Sequence, residues 1–133
     1  MTNSKEAGFS LIGIVIAVML VGIMAAIAVP KFNSAITLAN TSKVQADLTT
    51  LDAAIGLYTA ECGFAPNTLS DLSGYVSDLA KLQPPQGDCR LKSGEILTLK
   101  NASYEIITGD GDALAKGEKR AACSGHTAGD FGK

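Results

Sequence analysis

From Phe9 to Val29 the chain reads FSLIGIVIAVMLVGIMAAIAV, without one charged residue, and Pro30 follows directly. At about 1.5 Å of rise per residue, a helix over this stretch matches the roughly 30 Å hydrocarbon core of a bilayer. No polar stripe runs along it, so lipid or other apolar helices must surround it on every side. Beyond Phe32 the pattern turns amphipathic. Ile36, Val44, Leu48, Leu51, Ile55 and Tyr58 recur largely at three- and four-residue steps, while Asn40, Lys43, Asp47 and Asp52 fall off that face. This predicts that the helix continues over 33–61 and packs one side against a globular head. Cys62-Gly63, with Pro66 soon after, ends it. Pro30 lacks an amide hydrogen and crowds the carbonyl four residues earlier, so a kink or local loss of helix is expected across Ala26 to Pro30. Gly13 and Gly22 lower helix propensity further.

Downstream, Thr68 or Ser70 is placed to cap a short helix carrying Leu69, Leu72, Tyr75, Val76 and Leu79. Gln83-Pro84-Pro85-Gln86-Gly87-Asp88 reads as an extended loop before Cys89. Two strands are expected, over 95–100 with Ile96, Leu97, Thr98 and Leu99, and over 103–108 with Tyr104, Ile106 and Ile107. Asn101-Ala102 between them reads as the tight turn of a hairpin. A third strand is expected over 120–124, and residues 125–133 read as a loose tail. The expected fold class is therefore α+β: a long N-terminal helix on a small antiparallel sheet spanning about 95–124, with 62–94 as loop.

The 133 residues leave room for one domain beyond the apolar segment. Eleven Lys or Arg against thirteen Asp or Glu give a net charge of -2, so no global charge favours nucleic acid or anionic lipid. Lys5 and the initiating amine hold the first eight residues on the cytoplasmic side and place everything after Val29 outside. Two plain readings fit this arrangement. Ala26-Ile27-Ala28 is an A-x-A pattern of the signal-peptide kind, although the run before it exceeds the usual roughly 7–15 residues. A simple N-terminal anchor of a tethered binding domain has the same length.

Gly8 followed by Phe9-Ser10-Leu11-Ile12, then Gly22-Ile23-Met24-Ala25-Ala26-Ile27-Ala28-Val29-Pro30 and Phe32, resembles the N-terminus of type IV prepilins and type II secretion pseudopilins. The resemblance rests on the fixed spacing from Gly8 to Pro30, and the stretch from Tyr58 to Leu72 adds a fainter likeness to the helix exit of small pilins. It implies that 1–8 is a leader cut off between Gly8 and Phe9 by a prepilin peptidase, which also methylates the new N-terminal phenylalanine. Residues 9–32 would then serve as membrane anchor and later as filament core, with 33–133 as the head and Pro30 as the helix-kinking proline. The implied function is a structural pilin or minor pilin of a type IV pilus-like filament, or else a pseudopilin. The implied partners are other pilins, the peptidase, an assembly platform with its motor, and the membrane. The implied location is the cytoplasmic membrane, single-pass with the head outside, then an extracellular pilus or a periplasmic pseudopilus.

Gly13 departs from that pattern, because most members of the family carry there a Glu that pairs with a neighbouring subunit's N-terminal amine. Its absence eases residence in the bilayer by up to about 2.5–3.5 kcal/mol, the insertion cost of a central acidic residue. The same absence removes a register signal.

Cys62, Cys89 and Cys123 all follow the apolar segment, on the side where disulfides persist. One bridge and one leftover thiol is the simplest arithmetic. Cys89 with Cys123 brackets the strands and ties down the tail, and Cys62 with Cys89 is the rival. Closing the longer loop stabilises by about 3–4 kcal/mol in the chain-entropy model. Asp110 and Asp112 in Gly109-Asp110-Gly111-Asp112 are a weak calcium candidate, since two carboxylates two residues apart offer oxygens. The EF-hand ligand run is missing, however, and Asp-Gly favours turns for backbone reasons. Lys116, Lys119 and Arg120 form the densest basic cluster, a small footprint for nucleic acid that reads more simply as a solvated face. His126 is the sole histidine, sits in the expected tail, and reads as solvated rather than catalytic. Neither an enzyme nor a cofactor is expected.

Overall fold

The computed structural model describes residues 4–132; residues 1–3 of the expected leader, Lys133 and the side chains of residues 4–7 and Phe9 lie outside that description. One helix, α1, covers Ser4–Cys62. Among the described residues five strands follow: β1 (Gly87–Arg90), β2 (Ile96–Leu99), β3 (Tyr104–Thr108), β4 (Lys119–Cys123) and β5 (His126–Thr127). Single 3-10 turns lie at Leu69–Leu72, Leu79–Lys81 and Ala128–Asp130. The fold is α+β, a long N-terminal helix packed on two small antiparallel sheets rather than one, β1-β2 and β3-β4-β5. The chain divides into two units, Met1–Ala35 and Ile36–Lys133.

In the first unit, α1 is uninterrupted through Pro30, so the expected local loss of helix does not occur. Pro30 deletes one hydrogen bond and crowds one carbonyl, at about 3 kcal/mol. Ending the helix there would instead orphan several amides and carbonyls inside an apolar stretch.

In the second unit, the buried face of α1 consists of Thr41, Val44, Leu48, Leu51, Ala54 and Ile55. Four of the six apolar positions expected there are thus buried, and Tyr58 is half-buried against the core. Ile36 is the exception, 56% exposed and ahead of the head. The helix stops where expected: Gly63 takes φ +79, and its amide still reaches the Thr59 carbonyl at 2.9 Å. The expected second helix shrinks to two 3-10 turns. Thr68 is the N-cap of the first, while Gly74 and a left-handed Asp78 (φ +56) keep the segment from propagating.

The strands form, but with other partners. Strand β2 pairs with β1, with Cys89 opposite Leu97, and β3 pairs with β4, with Ile106 opposite Ala121. Gly87 and Asp88 therefore belong to a strand and not to the preceding loop. No hairpin joins β2 to β3. A two-residue type I′ hairpin turn needs positive φ at both centres, and only Asn101 (φ +50) provides it, not Ala102. Ser124-Gly125 meets the requirement with φ +49 and +80, and it links β4 to β5 tightly. The expected loose tail is consequently ordered. It returns as β5, a 3-10 turn and a bridge from Phe131 to Leu91, with Phe131 fully buried.

Candidate functional site

The surface of α1 ahead of the head is apolar and open. Leu11, Ile14, Val18, Val21, Met24, Val29 and Phe32 are all exposed, and none of the most apolar window is buried. Among the described residues this is one helix long and apolar enough to cross a membrane. An exposed apolar surface of this extent is stable only against lipid or against other apolar helices. Gly8, Gly13 and Gly22 all lie on it, and a Cβ added at any of them would meet nothing within 4 Å. Gly13 thus leaves room for a larger side chain.

The polar residues read as lying off the packing face turn out to flank it and fasten the head. Asn40 Nδ2 donates to the Asp88 carbonyl (3.2 Å), and Lys43 Nζ donates to the Gln83 carbonyl (3.1 Å) and to Asp47 Oδ2 (2.6 Å). The buried Thr41 hydroxyl donates to the Thr37 carbonyl and accepts from the Arg90 amide at 2.8 Å. Asp47 Oδ2 also accepts from the Tyr104 hydroxyl (2.6 Å). Asp52 accepts from the Ala121 amide (2.8 Å) and from Arg120 (3.1 Å). At 3.6 residues per turn, Asp47 and Asp52 sit on opposite sides of the Val44-Leu48-Leu51-Ile55 stripe. Helical spacing separates apolar from polar positions, but it does not say that a flanking carboxylate has a partner fifty residues later.

Burial, followed by the hydrogen bond and charge of Asp47, holds the Tyr104 hydroxyl protonated well beyond the ordinary tyrosine range. Tyr75, whose hydroxyl donates to Glu61, shifts the same way because of that bond. A raised folded-state value means that the protonated phenol stabilises the fold fully below the unfolded value of about 10, and that this is lost as pH rises above it. The thermal midpoint of the head is therefore expected to fall above pH ~10. Tyr104→Phe should flatten that fall, and an unchanged slope in the variant would assign it elsewhere.

Of the three cysteines, Cys89 on β1 and Cys123 on β4 are both fully buried, while Cys62 is exposed at the end of α1. Burial first, then the adjoining Cys123, pushes the Cys89 thiol up to about 11. Burial also raises Cys123. Cys89 and Cys123 both belong to the buried core, while Cys62 lies beside Tyr58 and Tyr75.

Asp110 and Asp112 sit in the loop from β3 to β4, where Asp110 Oδ1 accepts from the Asp112 amide at 3.1 Å, the bond of an Asx turn. Among the described residues, no three His, Cys, Asp or Glu side chains gather as metal ligands. The loop is drawn tight at Gly109, whose amide donates to the Glu118 carbonyl at 2.7 Å. A Cβ on Gly109 would lie 2.1 Å from the Ala115 carbonyl oxygen. Gly109→Ala should therefore cost about 1–3 kcal/mol by forcing the loop outward. Gly74→Ala, where a Cβ meets nothing within 4 Å, is the matched control in urea titration.

Arg120 is withdrawn from the basic cluster by Asp52 and Glu118. Burial works to lower its pKa, but the two carboxylates outweigh this and raise it. Lys116 remains exposed, and Lys119 is half-buried on β4. His126 lies on β5 with its ring edge-on to Phe131, 6.2 Å between centroids.

No protein-family model, curated protein or solved structure matches the chain. The functional reading therefore comes from the helix and the head themselves.

Proposed function

We propose that the protein is a prepilin-type subunit of the type IV filament superfamily. In this reading it is cut between Gly8 and Phe9, held in the cytoplasmic membrane by 9–32 with its head outside, and then packed into a filament by the same helix. The observation that carries the reading is the apolar, charge-free surface from Leu11 to Val29, exposed on a helix whose later turns are buried in an α+β head. Such a surface suits lipid and neighbouring apolar helices equally. Because lipid tails are as apolar as Leu, assembly gains come from close packing, to which Gly13, Gly22 and the alanines of 25–28 contribute by letting backbones approach. Directed work comes from a motor and platform outside this chain.

The N-terminus of the protein isolated from its own membrane is the test. N-methylated Phe9 is expected, whereas Val29 would mark a conventional signal peptide and Met1 a plain anchor, and either would overturn the proposal. Gly13→Glu asks how register is set. Unimpaired filament assembly in this variant would show that the missing carboxylate is not a positional device.

With the head outside, the neighbouring Cys89 and Cys123 are the pair expected to bridge, giving up two protons and two electrons to a thiol oxidant of that compartment. Non-reducing peptide mapping should join the two peptides and leave Cys62 free; a bridge to Cys62 would contradict the pairing.

A further inference from the structure

The chain holds two Asn-x-Ser/Thr triplets, Asn40-Thr41-Ser42 and Asn101-Ala102-Ser103. In an exported domain such a triplet is an acceptor for N-linked glycan only where it lies on an accessible surface loop. The two differ completely in this respect. Asn40 is inside α1 with its side-chain amide donating to the Asp88 carbonyl, and Thr41 is 2% exposed. Asn101 lies in the turn between β2 and β3, exposed, with φ +50. Its backbone amide is taken by Gln86 Oε1 at 3.0 Å, while its side-chain amide has no hydrogen-bond partner among the described residues. Ser103 is exposed beside it.

A groove of about 390 Å³ opens next to this turn, with Leu82, Gln83, Pro84, Gln86, Asn101 and Ser103 among its lining residues. No charged side chain lines it. Its volume falls in the roughly 300–1,000 Å³ range of small-ligand sites. Carboxamides both donate and accept, as sugar hydroxyls do, and the half-buried Leu82 adds apolar lining suited to the C–H face of a pyranose.

We propose that Asn101 carries an N-linked glycan whose first sugar rests in this groove. The inference rests on the reading that the head is exported. The donor is a glycan carried on a polyisoprenyl phosphate or pyrophosphate. The Asn101 side-chain nitrogen bonds to the anomeric carbon, the anomeric carbon–oxygen bond breaks, the lipid phosphate leaves with the electron pair, and the amide gives up one proton. No oxidant or reductant is needed.

The test is mass spectrometry of the full chain isolated from its native membrane. The peptide containing Asn101 should carry a sugar increment that disappears in Asn101→Gln and in Ser103→Ala but persists in Asn40→Gln. Hydrogen exchange at Gln83 and Gln86 should be slower in the modified protein than in Asn101→Gln; equal rates would overturn the groove contact. A bare Asn101 in chains that begin at Phe9 overturns the glycan and leaves the filament reading standing. A bare Asn101 in chains that still begin at Met1 overturns both. An increment that survives Asn101→Gln overturns the assignment to this site.

Discussion

Phe131→Ala should destabilise the head by about 3–5 kcal/mol, the usual loss for a fully buried aromatic truncated to alanine. Phe131 is 0% exposed, in a tail whose composition suggests disorder. Its backbone bridges to Leu91, and on either side the Lys92 amide donates to the Asp130 carbonyl (2.8 Å) and the Gly132 amide to the Arg90 carbonyl (3.1 Å). The C-terminal segment thus borders β1 as a further short strand, and Phe131 is its plug. A small domain has only about 5–15 kcal/mol of total stability, so the variant should melt tens of degrees lower or fail to fold at physiological temperature. The three tyrosines, Tyr58, Tyr75 and Tyr104, all lie in the second unit, and the chain has no tryptophan. The tyrosine band of the near-ultraviolet circular dichroism of the full chain in detergent therefore reports on the head, whereas Phe32 of the first unit contributes only at shorter wavelength. A loss below about 1 kcal/mol, the level of ordinary surface changes, would mean that the tail is not part of the core.

Asp52→Ala should cost about 2–3 kcal/mol. Asp52 Oδ1 satisfies the amide of Ala121, a fully buried residue, and Oδ2 accepts from Arg120 Nε at 3.1 Å and lies 3.1 Å from its Nη2 in an ion pair. Removing the carboxylate leaves a buried donor unpaired and a half-buried guanidinium with Glu118 alone. The Arg120 side chain is 38% exposed, so solvent screens the ion pair and the larger part of the loss belongs to the Ala121 amide. This gives an internal comparison. Asp52→Asn keeps an oxygen for that amide and should lose about half as much, and Arg120→Met should lose about 1 kcal/mol or less. Equal losses in all three variants, measured by urea titration, would place the energy in the ion pair instead.

Some elements of the fold follow from local pattern. The apolar stretch, the stripe of Val44, Leu48, Leu51 and Ile55 and the stop at Gly63 depend on periodicity and on one left-handed residue, all of which lie within a few positions of each other. The strands at 96–99 and 104–108 follow from their β-branched and apolar residues, whereas 119–123, Lys-Arg-Ala-Ala-Cys, has no β-branched residue and no alternation, and is expected from sequence one residue later, at 120–124. Strand pairing does not follow from local pattern. Which strand lies beside which depends on whether a connection can hold two positive φ values, and Ser124-Gly125 does so where Asn101-Ala102 does not. The Ser-Gly step was a readable turn signal, but it sits at the edge of a small, polar tail whose packing is visible only through Phe131. Ile36 fits the helical stripe by spacing, yet the head does not extend to it.

The same division applies to the candidate site. A charge-free stretch of bilayer length can be read from residue order, because hydropathy is a property of consecutive residues, and the proposed cut between Gly8 and Phe9 rests on residue order alone. The roles of Asp47 and Asp52 could not be read this way, since their partners Tyr104, Arg120 and Ala121 lie more than fifty positions away and meet them only once the strands fold back on α1. The shared burial of Cys89 and Cys123 in the core, the recruitment of Arg120 out of the basic cluster and the contrast between Asn40 and Asn101 are of this second kind. Local chemistry sets what each segment is able to do; long-range contacts, whose chain-entropy cost is met only by collective burial, select which of those possibilities the molecule uses.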